Sequence, residues 1–249
     1  MYIVTYLANY WRAGFALGID LYSESEVVEE IRRGRSLIRF GDGEINLLLG
    51  LRNHYHGYDP KLRRMLKEIV REYDNNKPYI LAVPKFLNYS NAELRQVGRL
   101  NLWMPFKIMF MLLFPKHARY MDAHCFYYTG YFERFVAPAI EGKRVIFVTN
   151  EATLARQRTN PAFPWKDSIE ISTPNEEALA VYETVRAELH ETLSQGRNGE
   201  FVTLISMGPA GKYLAKELAE AGYQVIDLGK AAEVIYTEES IEWMILGAL

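Results

Sequence analysis

Cysteine is nearly absent from this chain of 249 residues, because Cys125 is its one cysteine. An internal disulfide and a cysteine-based zinc cluster are therefore both excluded. The scarcity suits a reducing compartment, so we expect a cytoplasmic protein. Histidine does not compensate, since His54 and His56 are spaced i,i+2 rather than at the i,i+4 spacing of a zinc-binding helical pair.

An excess of basic charge is also missing. The chain has 29 Lys and Arg against 31 Asp and Glu, a net charge of -2. A dedicated nucleic-acid binder normally carries a basic excess, so we expect no nucleic-acid partner. Small anionic ligands remain compatible with this balance, because a phosphate site needs only a few local donors. No G-x-S-x-G elbow is present, which disfavours an α/β-hydrolase.

Long apolar runs are absent as well. The most apolar stretch, residues 100–114, contains Pro105 and Lys107 and is too short to span a bilayer. The first residues lack the pattern of a signal peptide. We therefore expect no membrane span. The stretch is typical of a core helix or a helix that packs on a partner, and peripheral membrane contact through it is the alternative.

The chain shows no internal repeat, low-complexity tract or long linker, which favours a single domain over residues 1–249 with an N-terminal helical extension over residues 1–35. Short apolar runs alternate with helical periods, which predicts an α/β, Rossmann-like fold: a mostly parallel sheet with helices on both faces. Predicted strands cover 36–40, 79–84, 119–126, 144–149, 168–172, 201–206 and 223–228, and predicted helices cover 58–75, 175–193 and 211–222.

The stretch "SLIRFGDGE" (36–44) places Asp42 and Glu44 directly after a strand. In such sheets ligands bind beyond the carboxyl ends of the strands. Two carboxylates at i and i+2 can converge on one Mg²⁺ or Mn²⁺ that also binds substrate phosphates. Asp-Gly is equally a common turn dipeptide, and Glu44 suits the first turn of a helix. The spacing alone leaves both interpretations open.

The stretch "SMGPAGKYL" (206–214) follows another strand and opens a helix. Helix amides that face a glycine-bearing turn can hold a phosphate. Lys212 would then lie in the first turn, where a cation is unfavourable unless an anion is near. The pattern is neither a Walker A motif nor a complete G-x-G-x-x-G fingerprint, and a plain Gly-Pro turn with a solvated lysine is the alternative.

Charged side chains follow two further strands. Asp227 ends the last strand, where an acid can accept hydrogen bonds from ribose hydroxyls or cap the next segment. Glu151, Arg156 and Arg158 come just after the strand 144–149. Arginines there can clamp a diphosphate, although on an exposed helix they are more often solvated charges.

Three segments resemble the GT-D glycosyltransferase family, formerly a bacterial domain of unknown function. "IRFGDGEINLLLG", with the helix that follows Tyr58–Asp59, resembles its opening. "ISTPNEEALAVYETV" resembles a strand and helix entry in the middle, and "VTLISMGPAGKYLAKELAEAGYQVIDLGK" resembles its close. The segments occur in the family's order and reach from about residue 36 to residue 236.

The resemblance implies a UDP-sugar donor, commonly UDP-glucose, and a divalent cation, Mn²⁺ or Mg²⁺. The Asp-x-Glu motif that the family ties to metal and activity falls on Asp42 and Glu44. The family's Gly-Pro turn falls on Gly208 and Pro209, and its strand-end acid falls on Asp227. The family's closing Gly-His reads Gly229–Lys230 here. Lys230 is then expected to supply charge in place of the histidine, or the chain uses another donor.

Asp42 and Glu44 are thus the predicted catalytic and metal-binding residues. The predicted substrate-binding residues are Arg39, Gly41, Gly43, Glu151, Arg156, Gly208, Pro209, Gly211, Lys212, Asp227 and Lys230.

The predicted function is a metal-dependent glycosyltransferase of bacterial glycan biosynthesis. It would move a hexose from a UDP-sugar to a saccharide or glycoconjugate acceptor, and glucose is the expected hexose. The alternatives are a non-catalytic nucleotide-sugar-binding module and a metal-dependent nucleotide-sugar phosphohydrolase. Glu44 would serve as the general base if only Asp42 held the metal.

Overall fold

The computed structural model describes residues 14–197, 199–237 and 239. Within them, seven strands form one sheet in the order β3-β2-β1-β7-β6-β4-β5, and every neighbouring pair is parallel. This confirms the predicted Rossmann-like α/β fold. The strands are β1 (Ser36–Arg39), β2 (Tyr79–Val83), β3 (Met121–Asp122), β4 (Arg144–Asn150), β5 (Ile169–Thr173), β6 (Phe201–Ile205) and β7 (Gln224–Asp227).

Helices cover both faces of this sheet. Those of the described residues are α1 (Glu24–Arg32), α2 (Asp42–Leu49), α3 (Pro60–Glu72), α4 (Asn91–Gln96), α5 (Leu100–Leu113), α6 (Glu151–Thr159), α7 (Tyr182–Ser194) and α8 (Gly208–Glu220). Helices α2, α3, α4, α5, α7 and α8 contribute to a core cluster on one face. Helices α1 and α6 contribute to the cluster on the other face.

The strands are apolar over their length because helices cover the sheet on both sides. All residues of β2 are buried, for example. Leu81 and Val83 belong to the first cluster, while Ile80 and Ala82 belong to the second. The alternation of side chains along a strand therefore fills two cores, rather than one core and a solvated face.

Helix α3 begins where the sequence predicts. Asp59 Oδ1 accepts hydrogen bonds from the amides of Lys61 at 2.6 Å and Leu62 at 2.9 Å, and Pro60 is the first helical residue. A capping carboxylate of this kind stabilises a helix by about 1 kcal/mol. The apolar stripe of the predicted helix is buried, at Leu62, Met65, Leu66, Ile69 and Val70.

All but the last residue of the stretch 100–114 form α5, a core helix in which Trp103 and Phe106 are buried. Lys107 is buried with them, and its ammonium donates a hydrogen bond to the carbonyl of Phe15 at 2.9 Å. Across the residues that the structure describes, no helix combines the length and apolar character needed to cross a bilayer.

Two predicted elements begin at other residues than expected. The predicted helix 175–193 begins as α7 only at Tyr182, because Glu177 adopts a left-handed conformation (φ 52°) and a 3₁₀ turn follows it. The predicted helix 211–222 begins earlier, at Gly208, because Pro209 suits the first helical turn.

The predicted strand 119–126 is reduced to the two residues of β3. The chain leaves the sheet after Asp122 and forms a 3₁₀ turn at Cys125–Tyr127. This difference moves Asp122 from the middle of a predicted strand to the end of a real one.

Part of the predicted N-terminal helical extension, residues 1–13, lies outside the described residues. In the remainder, Ser23 and Glu26 form a capping box that begins α1. Val27 and Ile31 of this helix are buried in the second core cluster. Helix α1 is therefore packed into the fold.

Candidate functional site

All seven strands end at the same edge of the sheet, here called the carboxyl edge. Helices α2, α6 and α8 begin there, directly after β1, β4 and β6. The chain leaves β1 and β6 toward the first core cluster, but leaves β4 and β7 toward the second. Neighbouring strands that diverge in this way open a crevice, which is where such sheets bind ligands.

The predicted metal motif lies where α2 begins. Asp42 is the first residue of the helix and is exposed, whereas Glu44 is only 8% exposed. Glu44 Oε2 accepts a hydrogen bond from the Gly41 amide at 2.7 Å, as the third residue of a capping box does. Its Oε1 lies 3.7 Å from Nζ of Lys212. Glu44 thus supports the fold, while Asp42 faces solvent.

Four charged residues meet beneath this motif, and we call them the buried charge cluster: Arg39, Glu44, Lys212 and Asp227. Lys212 Nζ lies 2.9 Å from Asp227 Oδ2 and 3.2 Å from Oδ1. The backbone amides of Arg39 and Gly229 donate to the same carboxylate at 2.9 and 3.1 Å. The two cations and two anions balance, so the cluster carries no net charge when all four ionise.

Both cations of the cluster stay charged near neutral pH. Burial by itself lowers the pKa of Lys212, but the carboxylates of Asp227 and Glu44 outweigh it and raise that pKa. Burial likewise opposes the charge of Arg39, yet Tyr127 and Asp227 raise its pKa. The predicted ligand Lys212 is therefore held by protein carboxylates, and Asp227 is 2% exposed with its oxygens already accepting hydrogen bonds.

Arg39 ties two strand ends together across the carboxyl edge. Its Nε donates to the carbonyl of Ala123 at 2.7 Å, and its Nη1 donates to the carbonyl of Leu228. The guanidinium carbon lies 4.9 Å from the centre of the Tyr127 ring. The side chain predicted to bind substrate is thus 5% exposed and occupied by protein acceptors.

The turn after β6 leads directly into α8, so a glycine-bearing turn precedes a helix as the sequence predicts. Gly208 has a φ of 53°, which disfavours any side chain there. The first helical hydrogen bond of α8 runs from the Gly211 amide to the Met207 carbonyl at 3.2 Å. Helix geometry therefore leaves the amides of Gly208 and Ala210 without an acceptor inside the helix, and Pro209 has no amide hydrogen.

Tyr55 bridges the turns that follow β6 and β7. A Cβ atom built on Gly208 would lie 3.9 Å from Cβ of Tyr55, and the Tyr55 hydroxyl lies 3.5 Å from Nζ of Lys230. Lys230 is 32% exposed. Burial lowers its pKa, but Tyr55 and Glu233 together raise it. Sequence reasoning considered this loop only for its histidines and so missed Tyr55.

The loop that carries Tyr55 is anchored to the connection between β5 and α7. His56 Nδ1 lies 3.0 Å from Glu177 Oε2, and the Glu177 amide donates to the Tyr55 carbonyl at 2.8 Å. On the other side, a Cβ atom on Gly43 would lie 3.2 Å from the side-chain nitrogen of Asn53. The loop therefore lies over the carboxyl edge with contacts on two sides.

The structure does not bring Glu151 and Arg156 to the buried charge cluster. Arg156 donates to the Glu233 carbonyl at 3.0 Å and to Glu239 at 2.9 Å. Glu151 pairs with Arg158 at 2.6 Å. Both predicted ligands lie on α6 and have protein partners, so a diphosphate clamp there remains a prediction.

Two carboxylates at the start of α2 supply hard oxygen donors of the kind that Mg²⁺ and Mn²⁺ prefer. Among the described residues, no three His, Cys, Asp or Glu side chains are grouped to hold a metal. Asp42 and Glu44 therefore fit a cation that takes one or two protein ligands and completes its shell with substrate phosphates and water. Glu44 is the less accessible of the two, because its oxygens also face the Gly41 amide and the Lys212 ammonium.

Sequence reasoning also missed Asp122, which ends β3 at the carboxyl edge, and His124, which lies two residues beyond it. Asp122 accepts hydrogen bonds from the amides of Lys85 and His124. Like Asp227, it ends a short apolar strand, and that pattern could have identified it. The prediction of a strand over 119–126 concealed it.

Comparisons with known proteins agree with this architecture. The model of a family described as "Glycosyltransferase GT-D fold" matches residues 37–238. A solved structure described as a new glycosyltransferase from Streptococcus sanguinis superimposes with a TM-score of 0.71 at 22% identity. The match covers 92% of this chain and 86% of that one.

Two curated relatives are also similar. "Glycosyltransferase GlyD" of Streptococcus pneumoniae is 26% identical in an alignment of 235 positions that covers 88% of this chain and 26% of the relative. "Probable glycosyl transferase Gly" of Streptococcus gordonii is 24% identical in an alignment of 233 positions that covers 88% of this chain and 32% of the relative. The chain thus spans about a quarter to a third of the length of these relatives.

Proposed function

The chain belongs to the GT-D fold glycosyltransferase family, and we propose that it transfers a hexose from a UDP-sugar to a hydroxyl of a saccharide or glycoconjugate acceptor. UDP-glucose is the proposed donor. The observation that carries the proposal is the pairing of two glycine-led helix starts, α2 and α8, on either side of β7. Two strand spacings separate β1 from β6, which is about 10 Å. A diphosphate between them faces both helix N-termini.

Backbone amides are the first group proposed to bind the donor. The helical hydrogen bonds of α2 begin with Ile45 to Gly41 at 3.3 Å, and those of α8 with Gly211 to Met207. The amides ahead of these bonds have no helical acceptor and carry the positive end of the helix dipole. Anions bind such positions readily.

Lys230 is the side chain proposed to add positive charge at this position. The buried charge cluster is balanced, so Lys212 and Arg39 bring no net positive charge to the donor. Lys230 keeps part of its surface open and lies directly after β7. This supports the expectation that Lys230 supplies charge where the resembled family has histidine.

Asp42 is the proposed principal metal ligand, with Glu44 as the second. A bound Mn²⁺ or Mg²⁺ supplies Lewis-acid stabilisation of the negative charge that grows on the departing nucleoside diphosphate. The protein's part is to keep Asp42 at the open end of α2. The contact of Lys212 with Glu44 joins α8 to α2, so both helix starts keep their spacing.

Lys212 and Asp227 are then proposed to position the site rather than to contact the donor. Their ion pair fixes the end of β7 to the first turns of α8, and the Arg39 amide fixes the same carboxylate to β1. This differs from the sequence-based expectation, in which Lys212 met the phosphates and Asp227 met sugar hydroxyls.

The direct test is donor turnover by the purified protein. We would incubate it with Mn²⁺ and a panel of UDP-, GDP- and dTDP-sugars, with and without saccharide acceptors, and follow nucleotide release and glycoside mass. Acceptor-dependent release with UDP-glucose is the expected result. Nucleotide release at the same rate with and without acceptor indicates a phosphohydrolase. Donor binding without release indicates a binding module, and no binding of any donor contradicts the proposal.

A further inference from the structure

Asp122 ends β3, and only one of its two carboxylate oxygens accepts hydrogen bonds from the described residues. Oδ1 accepts hydrogen bonds from the amides of Lys85 at 3.2 Å and His124 at 3.1 Å. Among the described residues, none donates a hydrogen bond to Oδ2, and the side chain is 19% exposed. Two backbone donors thus fix the carboxylate in one orientation, with a free acceptor directed away from them.

His124 beside it has a buried polar atom without a partner. Its Nδ1 makes no hydrogen bond in the described structure and lies 3.8 Å from Asp122 Oδ1, while the side chain is 9% exposed. The ring packs against Phe86, Trp103 and Tyr127. Buried polar atoms are nearly always satisfied, so an Nδ1 without a partner, next to a carboxylate whose second oxygen accepts no hydrogen bond, indicates a polar ligand.

The aromatic ring of Tyr128 and the ammonium of Lys85 lie close to Asp122 and His124. Lys85 Nζ lies 4.8 Å from the centre of the Tyr128 ring. Both residues are partly exposed. Ring faces accept the apolar side of a hexose, and a few polar groups fix its orientation.

The position relative to the proposed donor is suitable for an acceptor. In the sheet order, β3 lies two strands from β1, which is about 10 Å. A donor whose diphosphate lies between α2 and α8, and whose sugar extends toward β1, would have Asp122 on the side of the sugar away from the leaving group.

We propose that Asp122 is the general base that activates the acceptor hydroxyl, with His124 and Lys85 as positioning residues for a saccharide acceptor. The inference rests on the proposed function. Asp122 Oδ2 takes the proton of the hydroxyl while the acceptor oxygen bonds to the anomeric carbon. The bond from that carbon to the diphosphate oxygen breaks, and its electron pair leaves with the nucleoside diphosphate. The proton on Asp122 passes to water, and the anomeric configuration inverts.

The electrostatic surroundings suit such a base. Burial raises the pKa of Asp122, although hydrogen bonds from the His124 and Lys85 amides and the charges of Lys85 and Arg39 act against it. The direction brings the carboxyl closer to neutral pH, where general bases act best. The titratable groups that face it are Arg39, Lys85, His124, Cys125, Tyr128 and Tyr131.

The test is Asp122→Asn, which keeps an oxygen for the two amides but cannot accept the proton. Asp74→Asn is the matched control, because exposed Asp74 also accepts a backbone amide, that of Asn76 at 2.7 Å. With UDP-glucose, Mn²⁺ and p-nitrophenyl glycoside acceptors, we expect Asp122→Asn to lower kcat by about 100- to 10,000-fold. UDP-glucose binding and the melting temperature should match those of wild type, and Asp74→Asn should be fully active.

A readout besides rate separates catalysis from packing. The rise of wild-type kcat/KM with pH should be lost in Asp122→Asn, and azide, which needs no deprotonation, should restore nucleotide release in that variant. Wild-type rates from Asp122→Asn overturn the inference. So does loss of UDP-glucose binding in that variant, or a wild-type profile without a rising limb.

The two proposals fail in distinguishable ways. If wild type binds or turns over no donor at all, the proposed function is wrong and the assignment of Asp122 falls with it. If wild type transfers glucose and Asp122→Asn does so equally well, only the assignment of the base is wrong.

Discussion

Lys212 and Asp227 form an ion pair in the interior of the protein, with Nζ 2.9 Å from Oδ2 and side chains only 6% and 3% exposed. Removing one member of such a pair leaves a buried charge without compensation. The pair joins α8 to the end of β7, and through the Arg39 amide to β1. Its integrity therefore determines the geometry of both glycine-led turns.

Replacing Lys212 with methionine should destabilise the protein strongly. We expect Lys212→Met to lower the free energy of unfolding by about 3–5 kcal/mol, because Asp227 stays buried without its cation. Urea unfolding measures the effect. Lys61→Met is the control, since Lys61 is 55% exposed and 3.6 Å from Glu183, a contact worth about 0–1 kcal/mol. Equal losses in the two variants would contradict the structural role of the pair.

Asp42→Asn and Glu44→Gln should differ in their effect on the stability of the protein. Asp42 is exposed, so its variant should melt like wild type and lose metal-dependent turnover. Glu44→Gln should also lower the free energy of unfolding by about 1–3 kcal/mol, because a buried carboxylate near Lys212 is lost. Calorimetry with and without Mn²⁺ and UDP-glucose checks both. If Asp42→Asn melts much earlier than wild type, the motif is structural.

Gly229 should resist substitution for a reason beyond its backbone angle. Its φ is 51°, and an added Cβ would lie 3.1 Å from Arg39 Nη1. Gly142 has a φ of 79° and open space around it, so Gly142→Ala measures the backbone cost alone, about 1–2 kcal/mol. Gly229→Ala should lose more stability and also weaken UDP-glucose binding. An equal loss of unfolding free energy in the two alanine variants would contradict the prediction, because it would mean that Arg39 moves aside without a loss of stability.

His124 should make stability depend on pH. Burial, with the charges of Arg39, Lys85 and Arg99, lowers its pKa to about 3. The unfolded chain binds a proton near pH 6.5 that the folded protein does not, so the free energy of unfolding falls as pH drops from about 6.5 toward 3. Replacing it with phenylalanine removes this contribution.

In numbers, the loss of stability between pH 7 and pH 5 should be smaller in His124→Phe than in wild type by about 2 kcal/mol. Urea unfolding at the two pH values gives the difference. His117→Phe is the control, because His117 is exposed. The prediction is wrong if His117→Phe flattens the pH dependence and His124→Phe does not.

The sequence was most informative where a pattern has one structural solution. The apolar runs of β1, β2, β4, β6 and β7 can be satisfied only by a sheet covered on both faces, so the fold class followed directly. The cap at Asp59 and the stripe of α3 were likewise local and unambiguous.

Side-chain partners across the sheet were not predictable in the same way. Lys212 is 15 residues from Asp227, and Arg39 is 188 residues from it. The contact of Arg39 with Asp227 depends on β7 lying beside β1, and that of Lys212 depends on how α8 packs on β7, neither of which a local pattern encodes. The sequence therefore predicted that Lys212 and Asp227 bind substrate, whereas in the fold they form a buried ion pair with each other. Asp122 was missed because strand length, unlike strand existence, is decided by tertiary contacts.

The central place of β7 has a consequence for how the chain matures. Gln224–Asp227 comes last among the described strands, yet it lies between β1 and β6. While a ribosome is still adding residues before 224, β1 and β6 both expose an open row of backbone donors and acceptors, and such edges invite misassembly. One short strand then closes both edges and completes the buried charge cluster.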